Sequence, residues 1–399
     1  MAERALKGVT VLDISEGIAG PYCARLLGNF GADVIKVEKP GEGDKTRKVG
    51  PFPKDIPHPE KSALFLHLNI NKKGVTLNLD AATGRKIFKE LLPSADILIE
   101  SFQPGQLSAW GLDYAILEKI NPRLLMTSIT PFGQNGPYRD YKPSSAVLDA
   151  LGGHTFIQGD PKREPLRNHE GVAEYTGGMF ATIATMGALF YSGDTGQGQQ
   201  IDISSLQCAA VLESSRSSRW THLHNIQQRT NGRFGGWPGK AYRCRDGYVA
   251  LAGVGPGGDL TAMFSVIDIV ELLDEKYETE DGRAASAAEL DAIIQPWLLE
   301  HDKYEIFNAL QKVRVQAGVC SDAEDLLTDA GYEARDFWVE LDHPEVGKLK
   351  YPGPLVLMSE TEWQSSRAPL LGEHNEEIYC GKLGYSPLEL TQLRQGGVI

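Results

Sequence analysis

The sequence predicts an α/β protein with a mostly parallel sheet, and three features of the chain support that fold class. From residue 1 to residue 205, strand patterns alternate with helix patterns, as in sheets that carry helices on their faces. After Ser204 the composition shifts and the regular periodicity ends, which indicates a second region. Short strand patterns and a last helix pattern return near the carboxyl terminus.

The first strand–helix–strand unit opens the chain. Residues 9–13 form an apolar strand pattern, and after a short loop Pro21 suits the first position of a helix. Apolar residues at helical spacing continue to Gly31, and residues 33–38 form the next strand pattern. Three further strand patterns lie at 74–79, 96–100 and 124–129, with helix patterns at 82–92 and 114–120.

The second half of the chain carries a different mixture of patterns. Residues 179–190 are apolar nearly all round, which predicts a buried helix. Residues 212–239 are rich in Ser, Arg, Asn and Gly, and we interpret them as a linker with a glycine-rich loop. The later elements are a β-hairpin at 241–251, helices over 258–330, strands at 348–351 and 354–358, and a helix at 387–395.

The composition is that of an ordinary globular protein, with 41% hydrophobic and 23% charged residues. The net charge of -13 opposes a role in binding nucleic acid, which requires a basic surface. No apolar run approaches about 20 residues and the amino terminus lacks an apolar signal core, so we expect no membrane segment and a cytoplasmic location. Five scattered cysteines predict reduced thiols, and His222 and His224 are interpreted as structural, so no metal site is expected.

One carboxylate, Glu174, stands at the predicted N-terminus of the long apolar helix and is followed by Gly177 and Gly178. The helix dipole and the free backbone N–H groups of the first turn favour an ionised carboxylate there. Small neighbours allow a ligand to approach the backbone closely, so the position suits a carboxylate nucleophile. The alternative is an ordinary acidic residue in a first helical turn, and this segment alone favours that alternative.

The loop at 17–20 follows the first strand but lacks the triple-glycine spacing of a dinucleotide site, so no NAD site is predicted. It still leads into a helix N-terminus, which can bind an anionic ligand. Basic residues at or near strand ends offer a polyphosphate site or are simply solvated, and either interpretation fits each of them equally well. They are Lys36, Lys39, Lys45, Arg47, Lys48, Lys72, Lys73 and Lys142.

Seven segments occur in the order found in one enzyme family. They are residues 6–13, 19–21, 27–41, 69–74, 94–105, 131–138 and 195–199. Together they resemble the class III (CaiB/BaiF) CoA-transferases across nearly the whole chain. The resemblance implies a Rossmann-like large domain built from both chain ends, a smaller inserted α+β domain, and a dimer of two interlocked chains.

The resemblance also sets expected domain boundaries and a reaction. The large domain would comprise 1–205 and, with a linker, 326–399; residues 206–235 would form a linker and 236–325 the small domain. In the family, an active-site carboxylate attacks an acyl-CoA thioester to give a mixed anhydride, and the CoA thiolate then converts it to an enzyme–CoA thioester. The acceptor acid reverses these steps, so the expected partners are an acyl-CoA and a carboxylic acid.

The family's catalytic aspartate matches Glu174, whose extra methylene moves the carboxyl group by roughly an ångström. The matching positions that are expected to contact CoA are Ile18, Ala19, Lys39, Leu77, Asn78, Leu79, Ser101, Phe102, Lys142 and Ser144, and those of the lid are Gly235 and Gly236. Several depart from the family. Lys39 and Ala109 stand at arginine positions, Ile18 at a commonly polar one, and Ser144 at a tyrosine or histidine position.

These features predict a CoA-transferase with Glu174 as the nucleophile, and two alternatives remain open. The first is an acyl-CoA racemase or isomerase on the same fold, which is ranked lower because Ser144 replaces the expected histidine. The second is a non-catalytic CoA-binding subunit that pairs with an active paralogue. The substitutions at Glu174, Ser144 and Ala109 motivate that heteromer, whereas the resemblance itself predicts a homodimer.

Overall fold

A six-stranded parallel sheet organises the first of the two units into which the chain divides. The computed structural model describes residues 4–230, 232, 236–252 and 260–399. The first unit comprises Met1–His154, Asn168–Ser217 and Gly331–Ile399. The second comprises Thr155–Arg167 and Ser218–Ala330, so it takes in a segment that we expected to lie within the large domain.

All neighbouring strands of the large sheet are parallel, which confirms the predicted fold class. The strands are β1 (Thr10–Asp13), β2 (Asp33–Glu38), β3 (Lys72–Thr76), β4 (Ile97–Glu100), β5 (Leu125–Thr130) and β6 (Gln199–Ser204). Their order is β3-β2-β1-β4-β5-β6, which is the order of doubly wound sheets. In such sheets the strand order reverses between β1 and β4, and ligands bind at the carboxyl ends of the strands there.

Between and after these strands, the described residues of both units form α-helices. They are α1 (Ala19–Asn29), α2 (Ala63–Leu68), α3 (Ala82–Leu91), α4 (Gln106–Ala109), α5 (Tyr114–Leu117), α6 (Ser145–Leu151), α7 (Val172–Thr195), α8 (Ser205–Leu212), α9 (Ser214–Leu223), α10 (Thr261–Ile267), α11 (Glu280–Ala285), α12 (Ala287–Glu300), α13 (Lys303–Lys312), α14 (Ala323–Thr328), α15 (Ala330–Glu333) and α16 (Pro387–Gln395). Within the described residues, no helix has both the length and the hydropathy of a membrane span.

The remaining strands form two small antiparallel sheets. They are β7 (Lys240–Arg243), β8 (Tyr248–Leu251), β9 (Ala317–Val319), β10 (Trp338–His343) and β11 (Gly347–Pro352). Strands β7, β8 and β9 form the sheet of the second unit, and the predicted hairpin at 241–251 is confirmed as β7 and β8. Helices α10, α12 and α13 supply much of the apolar core of that unit.

Two expectations about local structure are wrong, and the expected linker at 206–235 is partly helical. It includes most of α8 and all of α9, and Ser204 caps the first turn of α8 by accepting a hydrogen bond from the Gln207 N–H at 3.3 Å. Residues 354–358 form no strand, because the antiparallel ladder with β10 ends at Pro352. The helix at 179–190 belongs to α7 but is buried on one face only.

The two faces of α7 differ in side-chain size. Gly177 and Gly178 lie on the buried face, where an added Cβ at Gly178 would stand 2.6 Å from the Ala19 carbonyl oxygen. This close approach packs α7 directly on α1. The opposite face carries large apolar side chains that are exposed in the single chain, among them Ile183 at 66% and Phe190 at 76%. A partner surface is the ordinary reason for such a stripe.

A buried network of charges ties β1, β2 and β3 together. Lys72 donates a hydrogen bond to Asp13 at 2.8 Å, and Lys36 lies 3.7 Å from the same carboxylate. Lys36 also donates to Asp44 at 2.9 Å and to the Ser15 carbonyl oxygen. All four charged side chains are fully buried, so each charge depends on its partners. The network thereby fixes the loop that follows β1.

We expect Asp13→Asn to lower the free energy of unfolding by about 3–5 kcal/mol, because it leaves the Lys72 ammonium buried without a carboxylate. Urea unfolding followed by circular dichroism measures the change. The double variant Asp13→Asn, Lys72→Met removes the stranded charge and should regain much of the loss. The same carboxylate-to-amide change at Asp140, whose side chain is 82% exposed, should have little effect. Equal losses at both sites would contradict the role of the network.

Candidate active site

A cavity of about 790 Å³ lies at the carboxyl ends of the central strands of the first unit. Its wall combines the loop after β1, the residues that follow β4, β5 and β6, and the first turns of α6 and α7. Part of α2 and residues 45–51 complete it. The cavity therefore occupies the crevice where a doubly wound sheet places its ligand.

Glu174 lines this cavity from the first turn of α7. The Ser145 hydroxyl donates a hydrogen bond to Glu174 Oε1 at 2.6 Å. The other carboxylate oxygen, Oε2, is buried and has no hydrogen-bond partner among the described residues. One oxygen of the carboxylate is thus held by the protein, whereas the other retains its full capacity to accept or to attack.

Small residues bring Glu174 to the cavity wall. An added Cβ at Gly177 would stand 2.6 Å from Ser205 Oγ, so α7 contacts the start of α8 as closely as Gly178 lets it contact α1. The Ser145 hydroxyl bonds to the Glu174 carboxylate directly, so the glutamate at this position has a hydrogen-bond partner within the cavity wall.

Two hydrogen bonds, here called the Ser101 clip, hold the loop after β1 against the residue that follows β4. Ser101 Oγ accepts a hydrogen bond from the Glu16 N–H at 2.8 Å and donates to the Glu16 carbonyl oxygen at 3.0 Å. Burial raises the pKa of the Glu16 carboxyl group, and the charge of Asp44 adds to that effect. The clip presents Ile18 and Ala19 to the cavity.

The structure brings five of the residues expected to contact the substrate to one place and leaves others elsewhere. The five that line the cavity are Ile18, Ala19, Ser101, Ser144 and Glu174. The expected residues that do not line it are Lys39, Leu77, Asn78, Leu79, Phe102 and Lys142. Gly236 belongs to the second unit and has a φ of +85°, and Gly235 lies outside the described residues.

Lys39 and residues 77–79 lie together just beyond the carboxyl ends of β2 and β3. Lys39 Nζ is 3.0 Å from Glu42 and 3.6 Å from Asp80, and its side chain is half-exposed. Leu77 and Leu79 are buried in the apolar core. The Leu77 N–H donates to the Glu38 carbonyl oxygen at 2.7 Å, and the Leu79 carbonyl oxygen accepts a hydrogen bond from Arg85 at 2.9 Å. This edge presents a cation beside a backbone turn.

Two further expected contacts have different surroundings. The Phe102 ring packs edge-on against Trp110 with centroids 5.0 Å apart, and it is half-buried against the core. A structural role therefore accounts for much of its surface. Lys142 is exposed and precedes the first turn of α6 by two residues.

The basic residues considered for a polyphosphate site divide into two groups. Lys36 and Lys72 form ion pairs in the buried network. Arg47 is buried between Glu38, at 2.7 Å, and Glu60, at 2.6 Å. These three are structural. Lys45, in contrast, is exposed and lines the cavity, where an added Cβ at Gly17 would stand 2.9 Å from its Cε atom.

Sequence reasoning missed much of the cavity wall, including two residues with polar side chains that bear on its chemistry, Ser145 and His67. Ser145 adjoins Ser144 just where a helix pattern begins, which was a usable signal, but His67 gave none. The Nη1 atom of buried Arg25 lies 2.9 Å from His67 Nε2, and burial together with this guanidinium lowers the pKa of His67 to about 3. The ring is therefore uncharged at neutral pH, and it packs against Tyr175 with centroids 6.3 Å apart.

Nothing in the part of the chain that the structure describes forms a group of three or more His, Cys, Asp or Glu side chains suited to a metal ion. The described wall offers three carboxylates (Glu16, Glu170 and Glu174), the Lys45 amine, hydroxyl groups and imidazoles. Among these carboxylates, Glu174 is the one that lies in the first turn of a helix, and its Oε2 is buried without a hydrogen-bond partner among the described residues.

Known proteins resemble the chain over nearly its whole length. The family model described as CoA-transferase family III matches residues 6–375. The succinyl-CoA–D-citramalate CoA-transferase of Chloroflexus aurantiacus is 31% identical over 402 residues, which cover 99% of this chain and 98% of that protein. The succinyl-CoA–L-malate CoA-transferase β subunit of the same organism is 31% identical over 401 residues, covering 99% and 98%. The crystal structure of a CAIB/BAIF family protein from Brucella suis matches with a TM-score of 0.86 at 29% identity, covering 95% of this chain and 100% of that one.

A cavity at the carboxyl edge of a parallel α/β sheet is where proteins of this fold class bind small-molecule ligands. The chain belongs to CoA-transferase family III, the CaiB/BaiF family, and it is a CoA-transferase. The resemblance seen in its sequence motifs is thereby confirmed. Coenzyme A, carried as a thioester, is the substrate that this family implies.

Glu100 ends β4 immediately before Ser101 and is 2% exposed, and burial raises the pKa of its carboxyl group to about 6. Between a pH of about 4.5 and about 6, the folded protein therefore keeps a proton on Glu100, whereas the unfolded chain, in which the pKa of this carboxyl group is near 4.5, has released it. We expect the free energy of unfolding to fall by about 2 kcal/mol as pH rises from about 4.5 to about 6. Glu100→Gln should remove this slope, as urea unfolding across that pH range would measure. Exposed Glu118→Gln should leave it in place, and an unchanged slope in Glu100→Gln would refute the assignment.

Proposed function

We propose that this enzyme moves CoA between an acyl-CoA thioester and a carboxylic acid through a covalent intermediate on Glu174. The observation that carries the proposal is the carboxylate itself, which faces the cavity with Oε1 held by Ser145 and Oε2 unpartnered. A nucleophile has to be positioned and yet retain a free electron pair. Glu174 meets both requirements although it stands where the family has an aspartate.

The reaction proceeds by acyl transfer to and from this carboxylate. Glu174 Oε2 attacks the thioester carbonyl carbon, the C–S bond breaks, and the CoA thiolate leaves with the electron pair. The thiolate then attacks Cδ of Glu174 and expels the donor acid, which leaves a glutamyl–CoA thioester. The acceptor carboxylate attacks the same carbon, and the released thiolate takes the new acyl group. No water enters, and every bond broken is replaced.

The CoA moiety is proposed to bind along the carboxyl ends of the strands. Ile18, Ala19, Ser101 and Ser144 line the cavity at the reaction centre. Lys39 with residues 77–79, together with Phe102 and Lys142, would contact the nucleotide part, which lies far from the reacting carbon. Binding energy from such remote contacts positions the thioester for attack. Gly235 and Gly236 remain the proposed lid residues. The domain boundaries expected from the resemblance, at 1–205, 206–235, 236–325 and 326–399, also remain part of this proposal.

The assembly is proposed to be the interlocked dimer that the family implies. The exposed apolar stripe on α7, formed by Met179, Ile183, Phe190 and Tyr191, supports a partner chain of the same kind. A heteromer is the second candidate, because one of the relatives is named as a β subunit. The racemase alternative has less support, since the relatives named above are CoA-transferases. Two histidines line the cavity: His67 is held uncharged beside Arg25, and His169 Nδ1 lies 2.8 Å from the Glu170 carbonyl oxygen.

The direct test is to trap the intermediate. We expect wild-type protein incubated with a panel of acyl-CoAs, succinyl-CoA first, to carry a CoA thioester on Glu174, and hydroxylamine to convert it to a hydroxamate. Peptide mass spectrometry locates both products. Glu174→Gln should form neither and should lower kcat by more than about 1,000-fold, because the amide cannot act as the nucleophile.

The exposed Glu118→Gln variant serves as the control for the loss of one carboxylate and should behave as wild type. An adduct on another residue, or normal turnover in Glu174→Gln, would contradict the nucleophile assignment. Turnover that appears only after a similar-sized second chain is added would favour the heteromer.

The stripe on α7 predicts the behaviour of the assembly. We expect the wild-type chain to elute as a dimer in size-exclusion chromatography with light scattering. Ile183→Glu places a charge on the stripe and should shift the chain to monomers or aggregates. Leu388→Glu, which alters an equally exposed apolar side chain on α16, should leave the dimer intact, since Leu388 is 69% exposed and lies outside the stripe. A monomeric wild-type chain would exclude the interlocked dimer.

A further inference from the structure

Ser144 and Ser145 stand side by side at the start of α6, but their hydroxyl groups have different tasks. Ser144 is the N-cap, and its Oγ accepts a hydrogen bond from the Val147 N–H at 3.3 Å. Ser145 takes no part in that cap and directs its hydroxyl to Glu174 Oε1 at 2.6 Å. Its side chain is nearly buried, with 8% of the residue exposed. The contact is therefore partly buried and lies in the wall of the cavity.

The two oxygens of Glu174 become chemically distinct in the proposed reaction. Once Oε2 has attacked the thioester, it bridges Glu174 Cδ and the acyl carbon in the mixed anhydride. Oε1 is then the carbonyl oxygen of Glu174. Ser145, which donates to Oε1 in the free enzyme, consequently donates to the carbonyl oxygen of Glu174 in the mixed anhydride, where Cδ of Glu174 is the next electrophile.

Every later step at Cδ places negative charge on Oε1. When the CoA thiolate attacks Cδ, the C–S bond forms and the carbonyl electron pair moves onto Oε1. The pair then returns, the bond from Cδ to Oε2 breaks, and the donor acid leaves with Oε2. The acceptor carboxylate later attacks the same carbon, and Oε1 carries the charge again. A hydrogen-bond donor fixed on Oε1 stabilises both tetrahedral intermediates.

We propose that Ser145 is a catalytic residue of this enzyme, the oxyanion donor for the two steps that take place at Cδ of Glu174. The assignment rests on the proposed function. In the resting enzyme the same hydroxyl positions the carboxylate with Oε2 free. The Ser145 hydroxyl thereby acts twice on Glu174. It orients the carboxylate as the nucleophile, and it then donates to the carbonyl oxygen of Glu174 when that residue is the electrophile.

The role predicts an effect on one chemical step rather than on binding. We expect Ser145→Ala to slow the appearance of the Glu174–CoA thioester by roughly 100-fold in a single turnover, the usual effect of removing one oxyanion donor. The dissociation constant of the acyl-CoA should change by less than about threefold, because the hydroxyl faces Glu174 rather than the nucleotide. Rapid quenching with intact-protein mass spectrometry follows the adduct, and equilibrium titration gives the dissociation constant.

Two further variants separate catalysis from packing. Ser145→Thr keeps the hydroxyl and should restore the rate to within about tenfold of wild type. Ser94→Ala removes a hydroxyl that donates to the Leu91 carbonyl oxygen at 2.8 Å, away from the cavity, and should have the wild-type rate. Melting temperatures show whether each variant is folded.

The outcomes distinguish this role from the function on which it rests. If wild type forms the thioester and folded Ser145→Ala forms it at the same rate, Ser145 is not the oxyanion donor although the transferase mechanism stands. Failure of Ser145→Thr to restore the rate would also overturn the role, because a hydroxyl at this position would then be insufficient. If wild type forms no adduct with any acyl-CoA, the proposed function fails first and the role of Ser145 fails with it.

Discussion

The buried pairing of Asp13 with Lys72 and Lys36 is the interaction on which the geometry of the cavity depends. It joins three neighbouring strands at the point where the loop after β1 leaves the sheet. Charges without solvent are tolerated only where partners and hydrogen bonds satisfy them, so the network permits few alternative arrangements of that loop. The loop in turn carries Ile18 and Ala19 into the cavity, and the Ser101 clip holds its other side. The position of the loop at the site thus depends on buried charges that do not themselves line the cavity.

A second constraint comes from residues with almost no side chain. Gly177 and Gly178 allow α7 to approach α8 and α1 at distances that any Cβ would prevent. The first turn of α7 therefore reaches the carboxyl edge of the sheet, and Glu174 projects from it into the cavity. The close packing also turns the large apolar side chains of α7 to the opposite face. The close packing of the turn that carries Glu174 and the exposure of the apolar stripe are two consequences of one pattern of side-chain size.

Much of the fold could be predicted because its signals are local. Strand β2 was predicted at its observed bounds, and alternating strand and helix patterns sufficed for the parallel sheet. Contacts between residues that are far apart in the sequence could not be predicted from such local signals. Ser145 meets Glu174 across 29 positions of the chain, and His67 meets Arg25 across 42. A lysine in a sequence carries no mark of its burial, so Lys36 and Lys72 read like solvated residues. Helix α9 was not predicted because its sequence is mostly polar and has little apolar periodicity.

The glutamate at position 174 is best understood together with the serine that faces it. A glutamate has one more rotatable bond than an aspartate, and holding it in a single geometry costs more side-chain entropy. A hydrogen bond to one carboxylate oxygen offsets that cost and still leaves the second oxygen unpartnered. Ser145 makes this bond from the first turn of α6, so the orientation of Glu174 depends on the contact between α6 and α7. The pair therefore holds a side chain longer than the family's aspartate in one orientation and leaves Oε2 available for the role proposed above.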